Sequence, residues 1–257
     1  MKIISLNTWG GRAGKKGLLD FFKQHAATTD VFCLQEVWSA PHEHLDGAMA
    51  GGIPINHDDV MSYGLQEISE TLADFEPLFH PHFGDNYGLM MLVKKKWLIR
   101  SSGEVFVYLY KGHYPSETDL GNHARNIQYV TLENRETPLT IINFHGLWNG
   151  KGKTDSEERL EQSEKIINFT RTLNHRVVLC GDFNLKPETK SLQKFEKAGL
   201  RNLIKEYGIT STRTSHYTKP EKFADYVFTS PEIKVSHFQV LSDEVSDHAP
   251  LLVEFNE

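Results

Sequence analysis

The chain is short of several things, and each shortage closes off a class of protein. Only two cysteines occur among its 257 residues, too few for a disulfide framework. Cys33 and Cys180 both sit inside apolar runs, where buried, reduced thiols of a cytoplasmic protein are expected. Long hydrophobic stretches are missing: runs such as Val105 to Tyr110 fall far short of the ~20 residues that a membrane-spanning helix needs. The first residues enter a strand-like run, Lys2 to Thr8, with no basic region followed by a long apolar segment, so no signal peptide is expected. Spacers rich in Pro, Ser or Gly, long charge blocks and low-complexity tracts are lacking too, and one domain over 1–257, acting as a monomer, is the expectation. Positive charge is in deficit, 28 Lys plus Arg against 34 Asp plus Glu, for a formal charge of -6. That balance speaks against broad affinity for duplex nucleic acid and leaves room for a local basic groove. It suits a divalent cation, because carboxylates gathered in a cleft both lower the net charge and attract one.

What is present centres on Val177 to Asn184, Val-Val-Leu-Cys-Gly-Asp-Phe-Asn. The apolar run has no alternation, as in a strand covered on both faces, and Gly181 lets the backbone leave the sheet. Asp182 and Asn184 then share one side, with Phe183 turned toward packing. Alone, such a corner is as well read as Asp and Asn bonding their own turn. Other segments add to it. Ile3 to Thr8 reads as a strand, Leu18 to His25 as a helix and Val31 to Leu34 as a strand, so Asn7 and Glu36 close successive strands. Leu139 to Phe144 reads as a strand ending on His145, Glu157 to Leu173 as an amphipathic helix with Leu160, Ile166, Ile167, Phe169 and Leu173 inward, and Val177 opens the next strand. Two strand–helix–strand units thus each place a polar residue at the end of both strands, which brings such residues to one rim of a sheet.

Between and after these units, Val60 to Phe75 reads as a helix, and Glu76 to Phe83 and Tyr87 to Val93 as paired strands. The loop Lys111 to His123 is either a flap over a site or a long turn. Arg125 stands at the entrance of the strand Ile127 to Leu132, where a guanidinium reaches either a phosphate or solvent. Leu185-Lys186-Pro187 reads as a helix start. Asp225 interrupts the apolar run Phe223 to Phe228, and a buried acid there needs a partner or strong hydrogen bonds. His42, His44 and His57 match no zinc spacing and read as solvated loop histidines.

Taken in order, Leu6-Asn7-Thr8-Trp9, Leu34-Gln35-Glu36-Val37, Asn143-Phe144-His145, Gly181-Asp182-Phe183-Asn184, Asp225-Tyr226 and Ser246-Asp247-His248-Ala249-Pro250 resemble the endonuclease/exonuclease/phosphatase superfamily, the deoxyribonuclease I-like group. The resemblance implies an α/β fold, a four-layer α/β/β/α sandwich of two mixed β-sheets. It implies Mg2+ or Mn2+ held by Glu36 with Asn7 and Asp247, and a water oriented or deprotonated by Asp182, with Asn184 helping to bind the scissile phosphate. His248 matches the essential histidine, Asp225 its acidic partner, and His145 a residue set against a phosphate oxygen. A cationic imidazole and a metal stabilise the charge gathered by a pentavalent transition state. Arg125 and Lys153 are the candidate phosphate-contacting cations, and Trp148, in the loop beside Lys153, either stacks on a substrate ring or packs on the helix. Thr212-Arg213-Thr214 stands where abasic-site enzymes carry an aromatic run, and the membrane-docking hairpin of secreted sphingomyelinases is not evident. The expected activity is metal-dependent hydrolysis of a phosphoester, with a phosphodiester, nucleic acid included, ahead of an inositol phosphate or a sphingomyelin-like lipid. A noncatalytic binding module of the same fold is the reading from another class.

Overall fold

The computed structural model of the chain describes residues 1–115, 119–133 and 137–256. Part of the loop read as a flap or a long turn, residues 116–118, lies outside them. The chain runs through β1 (Lys2–Asn7), α1 (Lys15–Ala26) and β2 (Val31–Trp38), then a short hairpin of β3 (Met49–Ala50) and β4 (Ile53–Pro54). It continues through α2 (Gly64–Thr71), β5 (Phe75–Phe83), β6 (Tyr87–Lys94), β7 (Ile99–Tyr108), β8 (Arg125–Leu132) and β9 (Leu139–His145). After α3 (Glu157–Thr172) come β10 (Arg176–Asp182), α4 (Lys190–Lys197), β11 (Arg201–Asn202) and α5 (Leu203–Glu206). The last strands are β12 (Asp225–Thr229), β13 (Val235–Val240) and β14 (Leu251–Phe255).

Two six-stranded sheets result, ordered β13-β14-β1-β2-β6-β5 and β11-β12-β10-β9-β8-β7. Each is mixed: β1 pairs with β2 and β9 with β10 in parallel, and the other named pairings are antiparallel. A parallel pair needs a crossover, which α1 and α3 supply. Side chains alternate across the strands, so one face of the first sheet (Ile3, Val31, Cys33, Met91) packs with the second sheet's Val130, Ile141 and Val178. The opposite face (Ile4, Phe32, Leu34, Leu92) packs on Leu18, Phe22 and Ile68 of α1 and α2. With α3 and α4 outside the second sheet, the layers are α/β/β/α, as the sequence suggested. Cys33 and Cys180 are buried free thiols between the sheets. No helix among the described residues is long and apolar enough to cross a membrane.

Three local expectations are corrected. The helix expected over Val60 to Phe75 is only Gly64–Thr71. The Met61 N–H donates instead to the Gly10 carbonyl, and Phe75 begins β5 opposite Lys94. The helix expected from Leu185 begins at Lys190, because the distant Asp155 carboxylate accepts the Lys190 and Ser191 N–H groups at 2.8 and 2.9 Å. On α3, Ile166 and Ile167 are buried and Phe169 and Leu173 pack, half-buried, against the core as expected, whereas half-buried Leu160 does not join that cluster, and Arg159, Gln162 and Ser163 complete the inward face.

Between the sheets, next to the polar strand ends, lies a small polar bridge. The Gln35 amide donates to Asn143 Oδ1 at 2.7 Å, and Asn143 Nδ2 donates to the Leu34 carbonyl at 2.9 Å. All these atoms are buried, so each bond also offsets the cost of desolvation and fixes how the two sheets register.

Candidate active site

Four strand ends meet at one mouth. Asn7 closes β1 and is fully buried. Its Nδ2 donates to Glu36 Oε1 at 2.9 Å and to Asp182 Oδ2 at 3.0 Å, while its Oδ1 accepts the Trp9 N–H at 2.9 Å. Glu36 reaches the mouth through a break in the β2–β6 register between Leu34 and Val37, with a left-handed φ of 59°. Such bulges re-aim a side chain, and the strain of a positive φ needs surrounding bonds to hold it. Thr8 supplies them, its hydroxyl donating to the Gln35 and Glu36 carbonyls at 3.0 Å.

The second sheet supplies the facing groups. Gly181, at φ 141°, lies so close to β9 that a Cβ there would stand 1.9 Å from the Phe144 carbonyl oxygen. Only glycine lets β10 bring Asp182 beside His145, its partner in register. Asp182 Oδ1 accepts the Asn184 N–H at 2.8 Å, and Asn184 takes a left-handed φ of 53°. Phe183 turns away into a cluster with Phe144, Phe195 and Phe228, as its position between two polar residues implied. His145 Nε2 stands 3.8 Å from both Glu36 Oε1 and Asp182 Oδ2.

His248 arrives on the loop between β13 and β14. The Ser246 hydroxyl pins that loop by donating to the Asn7 carbonyl at 2.7 Å and accepting the His248 N–H at 3.2 Å. His248 Nδ1 lies 2.8 and 2.9 Å from the two oxygens of Asp225, and its Nε2 faces Asp182 Oδ2 at 3.7 Å. Thr212 completes Asp225's bonding from its hydroxyl at 3.0 Å. The buried acid inferred from the β12 run therefore has both a histidine and a hydroxyl.

The electrostatics follow from this crowding. Burial raises the Glu36 carboxyl above its usual range, against the Asn7 hydrogen bond. Burial acts the same way on Asp182, but the charges around it, His248 foremost, outweigh it and hold the carboxyl well below the usual carboxylate range. Burial and Arg213 press the His248 pKa down, yet Asp225, Asp247 and Asp182 together raise it, which favours the imidazolium. His145 is pushed down to about 3, by burial and then by Arg125, so it is a neutral imidazole.

Other expected residues are placed differently from one another. Asn7 turns its amide nitrogen rather than its oxygen to the carboxylates, so it ties Glu36 to Asp182 instead of offering an oxygen to a cation. Asp247 is paired through Oδ2 with Arg213 at 3.2 Å, while its buried Oδ1 has no hydrogen-bond partner. Arg125 is buried, with Nε on the Gly146 carbonyl, NH1 on the His123 ring and NH2 on the Gly121 carbonyl, so its bonds brace the loop after β9. Trp148 packs on the β3–β4 turn, where a Cβ on Gly51 would meet its indole at 3.0 Å. His42 and His57 take part in a loop cluster: the His42 N–H donates to His57 Nε2 at 2.9 Å, and both rings meet Trp38.

Two groups present ligand atoms within 4.8 Å of one another, Glu36 with His145 and Asp182, and Asp182 with Asp225 and His248. The carboxylate oxygens of the first, with the unpaired Asp247 Oδ1 nearby, form a donor set that fits a hard divalent cation. Glu36, His145, Asp182, Asp247 and His248 line a cavity of about 180 Å³. Trp38, Phe83, Tyr87 and Trp148 line one side, and Lys153 and Arg213 are among the polar residues lining the rest.

Some of the machinery was not singled out from the sequence. Thr212 and Ser246 orient Asp225 and His248. His82 stacks on His123 at 5.0 Å and lies 5.7 Å from His145, forming a wall of imidazoles behind the site. Arg159 and Gln162 of α3 grip the loop after β9, and their polar positions on an otherwise apolar helix face were the available signal.

Two mixed sheets with polar strand ends gathered at one mouth define a deoxyribonuclease I-like hydrolase fold. The Endonuclease/Exonuclease/phosphatase family profile matches residues 4–248, and the chain belongs to that family. Similar solved structures include an endonuclease/exonuclease/phosphatase family protein from Leptotrichia buccalis, 19% identical over 100% of both chains, with a TM-score of 0.73. Another is the mannosyl-6-phosphatase of Bacteroides thetaiotaomicron, 18% identical over 100% of both chains, TM-score 0.72. TDP2 of D. rerio complexed with a single-strand DNA product is 17% identical over 100% of this chain and 99% of that one, TM-score 0.69. No curated protein sequence matches the chain. At these identities the likeness speaks for the fold, and the substrate has to be argued from the site.

Proposed function

We propose that the chain is a divalent-metal-dependent phosphoesterase that hydrolyses a phosphodiester, nucleic acid among the candidate substrates, by in-line attack of water. The observation that carries this reading is the row Glu36–Asn7–Asp182–His248–Asp225, linked by contacts of 2.8 to 3.7 Å across two sheets. Glu36 and Asp182 would hold Mg2+ or Mn2+, with His145 and Asp247 at the margin. When bound, such an ion polarises a phosphoryl oxygen and offsets transition-state charge. Asp182, kept ionised and fixed by Asn7 and the Asn184 N–H, orients the attacking water. His248, kept cationic and aligned by Asp225, faces the oxygens on which charge develops, where a preorganised donor stabilises the transition state more than the substrate. Asn184 holds a phosphoryl oxygen beside it.

A phosphatase acting on small phosphomonoesters is the second reading. Buried cations at one edge of the mouth favour it, since a monoester carries the greater charge, and the similar Bacteroides thetaiotaomicron protein is a mannosyl-6-phosphatase. Hydrolysis of bis-p-nitrophenyl phosphate, with and without Mg2+ or Mn2+, tests the proposal. Turnover should require a metal and fall by about 10³ or more in His248→Ala with the fold retained. Equal rates for wild type and His248→Ala with every metal would end the enzymatic reading.

A further inference from the structure

One end of the cavity is walled by rings rather than charges. From His145 they run to His82 at 5.7 Å, to His123 at 5.0 Å from His82, and on to Phe83 and Tyr87 at 5.0 and 5.7 Å from His123. Trp38 lies 4.8 Å from Tyr87, its partner in register. Ile53, Ile55 and Leu120 complete this wall. Burial and the neighbouring Arg125 hold His123 well below the usual imidazole range, so that ring is neutral. Arg125 itself is occupied by the Gly146 and Gly121 carbonyls and the His123 ring, and Arg12, half-buried beside Trp38, stands at the rim. Lys153, Arg213 and Asp247 line the cavity elsewhere, Arg213 paired with Asp247 and Asp247 3.7 Å from His248.

Ile53, Ile55 and Leu120 come from segments outside both large sheets. Leu45, Ile55, Phe83 and Leu120 form an apolar cluster apart from the two that pack the sheets. Asp119 fixes these segments to each other. Its Oδ1 accepts the Gly51 and Gly121 N–H groups at 2.6 and 2.8 Å and its Oδ2 the Gly52 N–H at 2.9 Å, while the Leu120 N–H donates to the Met49 carbonyl at 2.6 Å. Three backbone donors on one carboxylate thus tie the β3–β4 turn to the loop before β8.

Ile53 lines the cavity and is still 41% exposed. Apolar surface left in water beside an ionic site gains free energy by meeting an apolar part of the molecule that the site holds. The rings of Trp38, Tyr87, His123 and Phe83 brace one another in turn, which makes the wall rigid. A rigid wall favours a rigid occupant, because a flexible chain loses rotamer freedom on binding and a flat ring adds offset or edge contacts.

We infer that the β3–β4 hairpin and residues 119–123, clasped together by Asp119, complete an apolar subsite that seats an aromatic ring attached to the phosphate at the centre of the cavity. The substrate class this implies is a phosphoester that carries a ring next to its phosphoryl group. Asp119 is a positioning residue for that specificity, since it acts through Ile53, Ile55 and Leu120. The substrate assignment rests on the phosphoesterase reading, whereas the binding of the ring does not.

Calorimetric titration of phenylphosphonate and of methylphosphonate into the wild-type protein with Mg2+ reads the subsite with no turnover involved, because the two probes share a charged head. Phenylphosphonate should bind roughly tenfold or more tighter, the worth of burying one ring, and butylphosphonate should fall between the two. Asp119→Ala should bring the phenyl-to-methyl ratio to roughly threefold or less, and Ile53→Asn should lower it as well. Asp119→Asn keeps one acceptor oxygen for the Gly51 and Gly121 N–H groups and should restore most of the ratio, whereas a merely structural role would weaken both probes in proportion. The inference is overturned if the wild type binds both probes alike or binds neither, results that need no variant to fold. It is overturned too if butylphosphonate binds as tightly as phenylphosphonate, or if Asp119→Ala keeps the wild-type ratio. Hydrolysis of bis-p-nitrophenyl phosphate on the same preparations separates the two ideas. Turnover with equal phosphonate affinities removes the subsite alone, and a phenyl preference without turnover under any metal removes the phosphoesterase reading alone.

Discussion

The units β1–α1–β2 and β9–α3–β10 share a topology and differ in what their helices do. Each is a parallel strand pair with a crossover helix, and each sets residues of the site at or near the ends of its strands, Asn7 and Glu36 in the first, His145 and Asp182 in the second. The buried side chains of α1 are Leu18, Phe21 and Phe22, all apolar, so that helix only covers its sheet. In α3 they are Arg159, Gln162 and Ser163 before Ile166 and Ile167. Arg159 donates to the Leu147 carbonyl at 3.1 Å and to the Thr154 carbonyl, and Gln162 accepts the Leu147 N–H at 3.1 Å. The first turns of α3 thus hold the loop carrying Trp148 and Lys153. A crossover helix gives up apolar burial where the loop that leads into it is part of the site.

The largest test asks whether the two units serve one site or two. Glu36→Gln in the first unit and Asp182→Asn in the second should each lower kcat/KM for bis-p-nitrophenyl phosphate by about 10³ or more. Groups that act together are not additive, so the double variant should lose little beyond either single one. Multiplied losses would divide the mouth into independent halves.

Next in size is the contrast between glycines. Gly181→Ala puts a Cβ against the Phe144 carbonyl at a φ that side chains rarely adopt, and should cost roughly 3 kcal/mol or more. Gly17 sits exposed in α1 with open space around its Cβ position, so Gly17→Ala should gain about 0.5–1 kcal/mol. Urea midpoints at unchanged slope measure both. Similar tolerance at the two positions would mean that β10 does not need its close approach to β9.

The contrast also marks what a sequence can disclose. Both units were legible because their apolar runs break on polar residues at matched places, and that pattern is local. Asp225 was legible as well, since an acid inside Phe223 to Phe228 demands a partner. Other features depend on contacts far along the chain. Asp155 decides where α4 begins, and the Trp9 N–H decides which end of the Asn7 amide faces the carboxylates. Arg125 reads equally as a phosphate ligand or a solvated surface group, and it proves a brace only once Gly121 and Gly146 are placed around it. The inward face of α3 was misread for a related reason: Leu160 fits an apolar stripe, whereas Arg159 belongs inside only because the Leu147 and Thr154 carbonyls wait there.

The smallest effect isolates that face. Arg159→Met keeps an unbranched stem in the same space and removes the donors to Leu147 and Thr154. Two carbonyls then lose charge-assisted bonds, and the loop bearing Lys153 loosens without any change in the groups at the floor of the mouth. Misplacement of this kind acts through geometry, so kcat should fall by roughly tenfold while the pH profile of turnover keeps its shape. Leu18→Met is the matching change on α1: a volume-conserving swap should cost less than about 1.5 kcal/mol in stability and leave kcat as it was. If Arg159→Met and Leu18→Met altered stability and kcat in the same proportion, α3 would be a cover like α1. A kcat loss confined to Arg159→Met makes α3 the element that sets the loop, and places the difference between the two units in two hydrogen bonds.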